Sequence, residues 1–210
     1  MLFTWSLALV AMGMFVPLFA TGGVPGFDFW WWMSVNGAVL SVIVVLIDAE
    51  WRKSFQEDIR GKPGKKAALG LLAAVFLYGV FFVGNLASRY IFSFASSEIE
   101  AVYNLKNGVS LLRVGLLIGL VIGPAEEWFW RGFVQRRMSE HYGKWMGFVL
   151  ATALYTGMHF SSANPMLVLA AAVCGAFWGF LYLFRGSLLL CTVSHVAWDL
   201  AVFVFFPLSR

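Results

Sequence analysis

VGLLIGLVIGPAEEWFWRGFVQR, residues 114–136, decides how this chain is read. The stretch opens apolar and can cross a membrane only by carrying Glu126, Glu127 and Arg131 with it as far as Arg136. A charged side chain near the centre of a bilayer costs on the order of 2.5 to 3.5 kcal/mol on insertion scales, so such groups face a cavity or a partner and mark function. The octet Pro124 to Arg131 is therefore the expected centre of a site.

The rest of the composition agrees with a membrane setting. The chain has 210 residues, of which 60% are hydrophobic and only 12% charged, with mean hydropathy +0.79. A soluble domain is usually about 25% charged. A net charge of +4 could suggest nucleic acid, but the basic residues fall in short runs between apolar spans, which is the pattern of membrane orientation. Cys174 and Cys191 lie inside apolar segments, where free thiols behave as small hydrophobes.

Outward from the octet, further apolar runs follow. Leu2 to Phe19 is of spanning length and lacks the charged start and cleavage site of a secretory signal, so it is read as a retained first helix. Phe29-Trp30-Trp31-Trp32 forms an aromatic belt opening a second span to Ile47, with Asp28 at the interface. Asp48 to Lys66 is a charged connection, Ala67 to Ser88 a third span, and Arg89 to Arg113 a mixed segment with room for a surface helix. After the fourth span come Trp145 to Phe160, Pro165 to Phe184 and Gly186 to Phe206. The expected fold is all-α: a polytopic transmembrane bundle of about seven to eight helices, residues 1–210 forming one domain. Alternating seven spans puts eleven basic residues on one side, Arg131 included, against four on the other, Arg89, Lys106, Arg113 and Arg210. That asymmetry predicts a cytoplasmic N-terminus.

Few other ionisable groups lie within the spans: His159, and His195 with Asp199. At about 1.5 Å per helical residue, Glu126 lies roughly 15 Å in from Arg136, His159 roughly 22 Å in from Lys144, and His195 roughly 15 Å in from Arg185. His195 and Asp199 are four residues apart, as are Glu127 and Arg131, so each pair shares a helix face. Gly115, Gly119 and Gly123 extend the Glu127–Arg131 ridge and suit close packing by a neighbouring helix. Glu127 and Arg131 are expected to pair there, turning Glu126 toward a different space. Pro124 either kinks this helix or starts its second half. The plainer alternatives are the wet end of a shorter helix for the two glutamates, an interfacial position for His159, and a purely structural pair for His195 and Asp199; His141 reads as solvated.

A carboxylate beside an imidazole in a largely apolar cavity can hold and deprotonate water, and a second imidazole can donate to charge developing on a carbonyl oxygen. That set suits amide hydrolysis in or near a membrane. The chain resembles the CAAX proteases and bacteriocin-processing enzymes, the CPBP intramembrane proteases, at three motifs: Glu126-Glu127-Trp128-Phe129-Trp130-Arg131, Tyr155-Thr156-Gly157-Met158-His159, and His195-Val196-Ala197-Trp198-Asp199. The likeness suggests a catalytic core over residues 114–206. It implies a glutamate-type endopeptidase in which Glu126 and His159 activate water, His195 and Asp199 line the oxyanion side, and Glu127 with Arg131 support the site. Tyr155 stands where the family usually has Phe, and Asp199 where its prenyl-protein members typically have Asn. Ionised Asp only accepts hydrogen bonds, so Asp199 must be protonated or must orient His195.

The expected reaction uses no cofactor, although Glu126, His159, His195 and Asp199 make a donor set that zinc could accept. The expected partners are membrane lipid and a membrane-anchored protein or peptide, cut near its C-terminus; members of the family it resembles handle prenylated C-termini, bacteriocin-type leaders or C-terminal sorting tags. Nucleic acid is not among them. Length and short loops suggest a prokaryotic plasma membrane. A proton-coupled carrier, in which an acid and imidazoles relay protons, and a membrane scaffold remain alternative functions.

Overall fold

A computed structural model describes residues 1–208, and among these the chain forms nine helices. They are α1 (Leu2–Thr21), α2 (Phe29–Ile47), α3 (Ala49–Arg60), α4 (Pro63–Ile91), α5 (Ala95–Asn104), α6 (111–142), α7 (144–162), α8 (Pro165–Arg185) and α9 (Leu188–Phe205). The only strands among the described residues are Gly23–Val24 and Phe27–Asp28, a two-residue ribbon across the Gly/Pro turn. Five helices, α1, α2, α4, α8 and α9, are long and apolar enough to cross a membrane. The count exceeds the seven or eight expected because both polar connections fold: 48–66 holds α3, and 89–113 holds α5.

Polar caps set the starts of several helices. Asp28 accepts the N–H groups of Trp30 and Trp31 at α2, Asn164 that of Leu167 at α8, and Ser187 that of Leu190 at α9. Gly22 and Gly186 end α1 and α8 with φ of 69° and 57°, a left-handed turn that glycine enters without a Cβ penalty. α3 turns Trp51 and Phe55 inward, where both rings pack on Trp128 of α6.

Pro124 neither breaks nor ends α6. Proline lacks an N–H and crowds the carbonyl four residues back. Here Ile118–Ile122 widen into a π-helical turn, the Gly123 N–H bonds the Ile118 carbonyl, and the helix runs on through the glutamates. A second π-helical turn, Trp130–Gln135, follows them. Of the glycine stripe, Gly123 carries the close approach: a Cβ there would lie 2.6 Å from Val196 Cγ2 of α9, whereas one on Gly119 would meet nothing within 4 Å.

Contacts between helix ends sort the bundle into two faces. On one face, Arg136 and Arg137 of α6 reach Asp48, while Asp58 takes Lys66 Nζ at 2.7 Å and the Leu189 N–H of α9, also at 2.7 Å. On the other face, Asp28 pairs with Arg113, the Trp30 indole bonds the Leu105 carbonyl, and Asn164 bonds the Glu98 carbonyl. The alternation of spans read from the sequence is thus the alternation of the helix ends. Arg131, counted among the basic-face residues, is instead buried inside the bundle. Arg210, counted on the opposite face, lies outside the described residues.

Candidate active site

Successive positions on α6 aim the two glutamates apart. Glu127 is fully buried and accepts Arg131 Nη1 at 2.9 Å across one helical turn. Arg131 also donates to the Gly175 carbonyl of α8 at 3.3 Å and lies over the rings of Tyr155 and Trp178. The expected buried pair is therefore present. The same Glu127 Oε1 lies 2.7 Å from His195 Nδ1, a link between α6 and α9 that spacing alone does not reveal.

Glu126 faces the other way. Its Oε2 accepts the Tyr155 hydroxyl at 2.9 Å. One turn along α7, the Tyr155 carbonyl lies 2.8 Å from His159 Nδ1. A carbonyl only accepts, so Nδ1 carries the proton; in the neutral ring Nε2 is left as the free acceptor. Tyr155 thus touches both the acid and the imidazole. His159 sits in the tight 3-10 turn His159–Ser162 that ends α7, yet it is 5% exposed, and the Phe19 ring of α1 lies 4.3 Å from its own.

His195 is held on three sides. Nδ1 meets Glu127, Nε2 lies 3.4 Å from Asp199 Oδ2, and the Trp178 ring stacks on the imidazole at 3.7 Å with planes 15° apart. Trp178 is anchored in turn through its indole N–H to Ser194 Oγ at 3.2 Å. Glu126, Tyr155, His159, His195 and Asp199 all line one cavity of about 290 Å³, whose remaining walls are mostly apolar. Glu127 and Arg131 stand behind it.

Two expectations need amendment. Depths counted from the basic face suggested groups at mid-bundle, but the cavity is also lined by Asn85, Ser88, Tyr103 and Leu105, so it lies in the half of the bundle farther from the basic face. Gly175 and Gly179, four residues apart in the Pro165–Phe184 span, read from the sequence as small residues for close packing with no chemistry of their own. Their carbonyls accept Arg131 and Gln135, the latter at 2.8 Å, so the close approach also anchors the site helix. Trp178, Gln135 and Phe19 were missed; the one signal for Trp178 was a bulky ring between two packing glycines. The solvated reading of His141 agrees with its exposed position.

The candidate donor set for zinc, Glu126, His159, His195 and Asp199, lines one cavity. Among the described residues no three His, Cys, Asp or Glu side chains are grouped to hold a metal ion, and both His195 nitrogens already face carboxylates.

A helical membrane bundle with a carboxylate and two imidazoles lining an internal cavity is the class that fold and site define. Residues 108–201, a little under half of the chain, match the family model described as Type II CAAX prenyl endopeptidase Rce1-like. The match bears out the resemblance to the CAAX protease and bacteriocin-processing family carried by the three motifs, and it spans them all. No curated protein and no solved structure gives a significant match.

Proposed function

We propose that this integral membrane protein is a glutamate-type endopeptidase that hydrolyses a peptide bond of a membrane-anchored polypeptide near its C-terminus. The observation that carries the reading is the Tyr155 bridge: one residue holds Glu126 and His159 at the wall of the same cavity, each with a free atom to offer a water molecule.

In this reading Glu126 takes a proton from water while His159 Nε2 orients it, and the water oxygen attacks the scissile carbonyl carbon. Charge that develops on the carbonyl oxygen is met by the His195 Nε2–H, which turns to it from a long 3.4 Å contact with Asp199 while Glu127 holds Nδ1. The carbon–nitrogen bond then breaks. The proton held by Glu126 passes to the leaving amine, giving a carboxyl and an amino terminus. Arg131 and Glu127 keep the helices in register, and no step runs through a metal ion. The excess of basic residues on the 48–66 face favours a cytoplasmic N-terminus, with the cavity toward the opposite side of a prokaryotic plasma membrane.

The test is reconstitution in vesicles with anchored reporters carrying a prenylated C-terminus, an N-terminal bacteriocin-type leader or a C-terminal sorting tag. Cleavage of one reporter in labelled water should put one labelled oxygen into the new carboxyl. Absence of cleavage of all three, with Glu126-dependent solute uptake instead, would replace the protease with a carrier.

A further inference from the structure

The last residues described fold back over the cavity and are gripped by side chains. Phe206 leaves α9 with φ −137° and ψ 65°, its N–H still bonded to the Ala201 carbonyl at 2.7 Å. Its carbonyl accepts the Tyr78 hydroxyl at 3.0 Å. The Leu208 carbonyl accepts Asn85 Nδ2 at 3.0 Å and Arg89 Nη2 at 3.5 Å, and the Leu208 N–H donates to the Tyr103 hydroxyl at 2.9 Å. Three of these residues belong to α4 and one to α5, and all four address main-chain atoms. Leu208, Asn85 and Tyr103 also line the cavity that holds Glu126 and His159.

Side chains that bind two carbonyls and an N–H of a three-residue segment recognise a polypeptide whatever its sequence, because every residue offers those groups. The cradle sits at the edge of an otherwise apolar cavity, where polar side chains without partners would be costly. Residues 206–208 supply those partners.

We infer that Tyr78, Asn85, Arg89 and Tyr103 form a binding subsite for the backbone of a non-helical apolar peptide segment, which the chain's own residues 206–208 fill until a peptide displaces them. That the incoming segment is a substrate rests on the protease reading; that it binds does not. The subsite would hold an anchored polypeptide by its backbone beside the bond to be cut, leaving sequence preference to the apolar wall.

The probe is a fluorescent peptide with blocked ends, Phe-Phe-Pro-Leu, titrated by anisotropy into the full chain in lipid nanodiscs. A chain carrying Phe206→Gly and Leu208→Gly, whose tail keeps its backbone groups but loses its apolar side chains and gains backbone freedom, competes less and should bind it about tenfold more tightly than the unaltered chain. Tyr78→Phe and Tyr103→Phe, introduced into that background, remove only a hydroxyl and should each weaken binding about fivefold. No saturable binding, or binding indifferent to both hydroxyls, would overturn the subsite. If the loosened chain does not fold, a nitroxide on Leu208→Cys in the full chain serves instead, since Cys174 and Cys191 are buried. Saturating peptide should mobilise the label; an unchanged spectrum would overturn the proposal. In the native chain, peptide binding without cleavage of any reporter counts against the protease alone, and cleavage without peptide binding against the subsite alone.

Discussion

α6 carries charge in two regions and uses it in opposite ways. At its basic end, Asp48 is enclosed by Arg136 Nη2 at 2.5 Å, Arg137 Nε at 3.0 Å and the Trp51 N–H at 3.0 Å, and Arg136 also bonds Glu140. Nothing there faces a cavity large enough for chemistry. At mid-helix, Glu127 Oε1 takes both Arg131 and His195 and its Oε2 is buried away from the cavity, while Glu126 beside them keeps an oxygen at the cavity wall. Buried charge alone is therefore a poor guide to a reactive group; the guide is buried charge with an unspent atom facing space.

That contrast can be broken most sharply at Glu126. Glu126→Gln keeps the shape and loses the base, so cleavage in vesicles should fall by about 10²- to 10⁴-fold, with melting in detergent little changed; His159→Ala should act alike. Next comes Glu127→Ala, which leaves Arg131 buried without its partner and His195 without one of its two. Losing one member of a buried pair costs about 3 to 5 kcal/mol. The expected result is a large drop in unfolding free energy, followed by denaturant titration in mixed micelles, where Glu126→Ala shows a small one.

A smaller effect is expected at Tyr155→Phe, which restores the residue usual in the family and removes one hydrogen bond to a carboxylate. A bond to a charged group contributes about 1.5 kcal/mol or more, so turnover should fall about tenfold while the fold is kept. Unchanged turnover would make the Tyr155 hydroxyl a bystander. The mildest effect belongs to the basic end. Burial works against ionisation of Asp48, but the Trp51 N–H, Arg136 and Arg137 outweigh it and hold the carboxyl below its usual range. A lowered folded-state pKa gives stability that is complete above the unfolded value, about 3.9, and that is lost as pH falls through the folded value. The melting advantage of the native chain over Asp48→Asn should be constant from neutral pH down to about 4 and close below it; an advantage that persists in strong acid would contradict the pairing.

How much of this was legible in the sequence follows from the range of each interaction. Apolar run length gave the five spans α1, α2, α4, α8 and α9, because crossing lipid requires it, whereas α6 and α7 are not among the helices long and apolar enough to cross by that measure. Spacing of four gave the Glu127–Arg131 pair, because it is set within one helix. The three motifs gave the site residues that the cavity brings together. The Glu127–His195 link and the stacking of Trp178 were not legible, since they depend on how α6, α8 and α9 are rotated against one another. α3 was hidden because its charged residues read as a connection until Trp51 and Phe55 find Trp128. The π-helical turn before Pro124 was hidden too, because sequence signals the proline but not which turn widens to admit it.

The most direct measurement is the cleavage rate of Glu126→Gln in vesicles at a melting temperature matched to the native chain. The account predicts a rate lower by two orders of magnitude or more. Native-level cleavage by that variant would contradict it, since the carboxylate left free at the cavity wall would then have no chemical part.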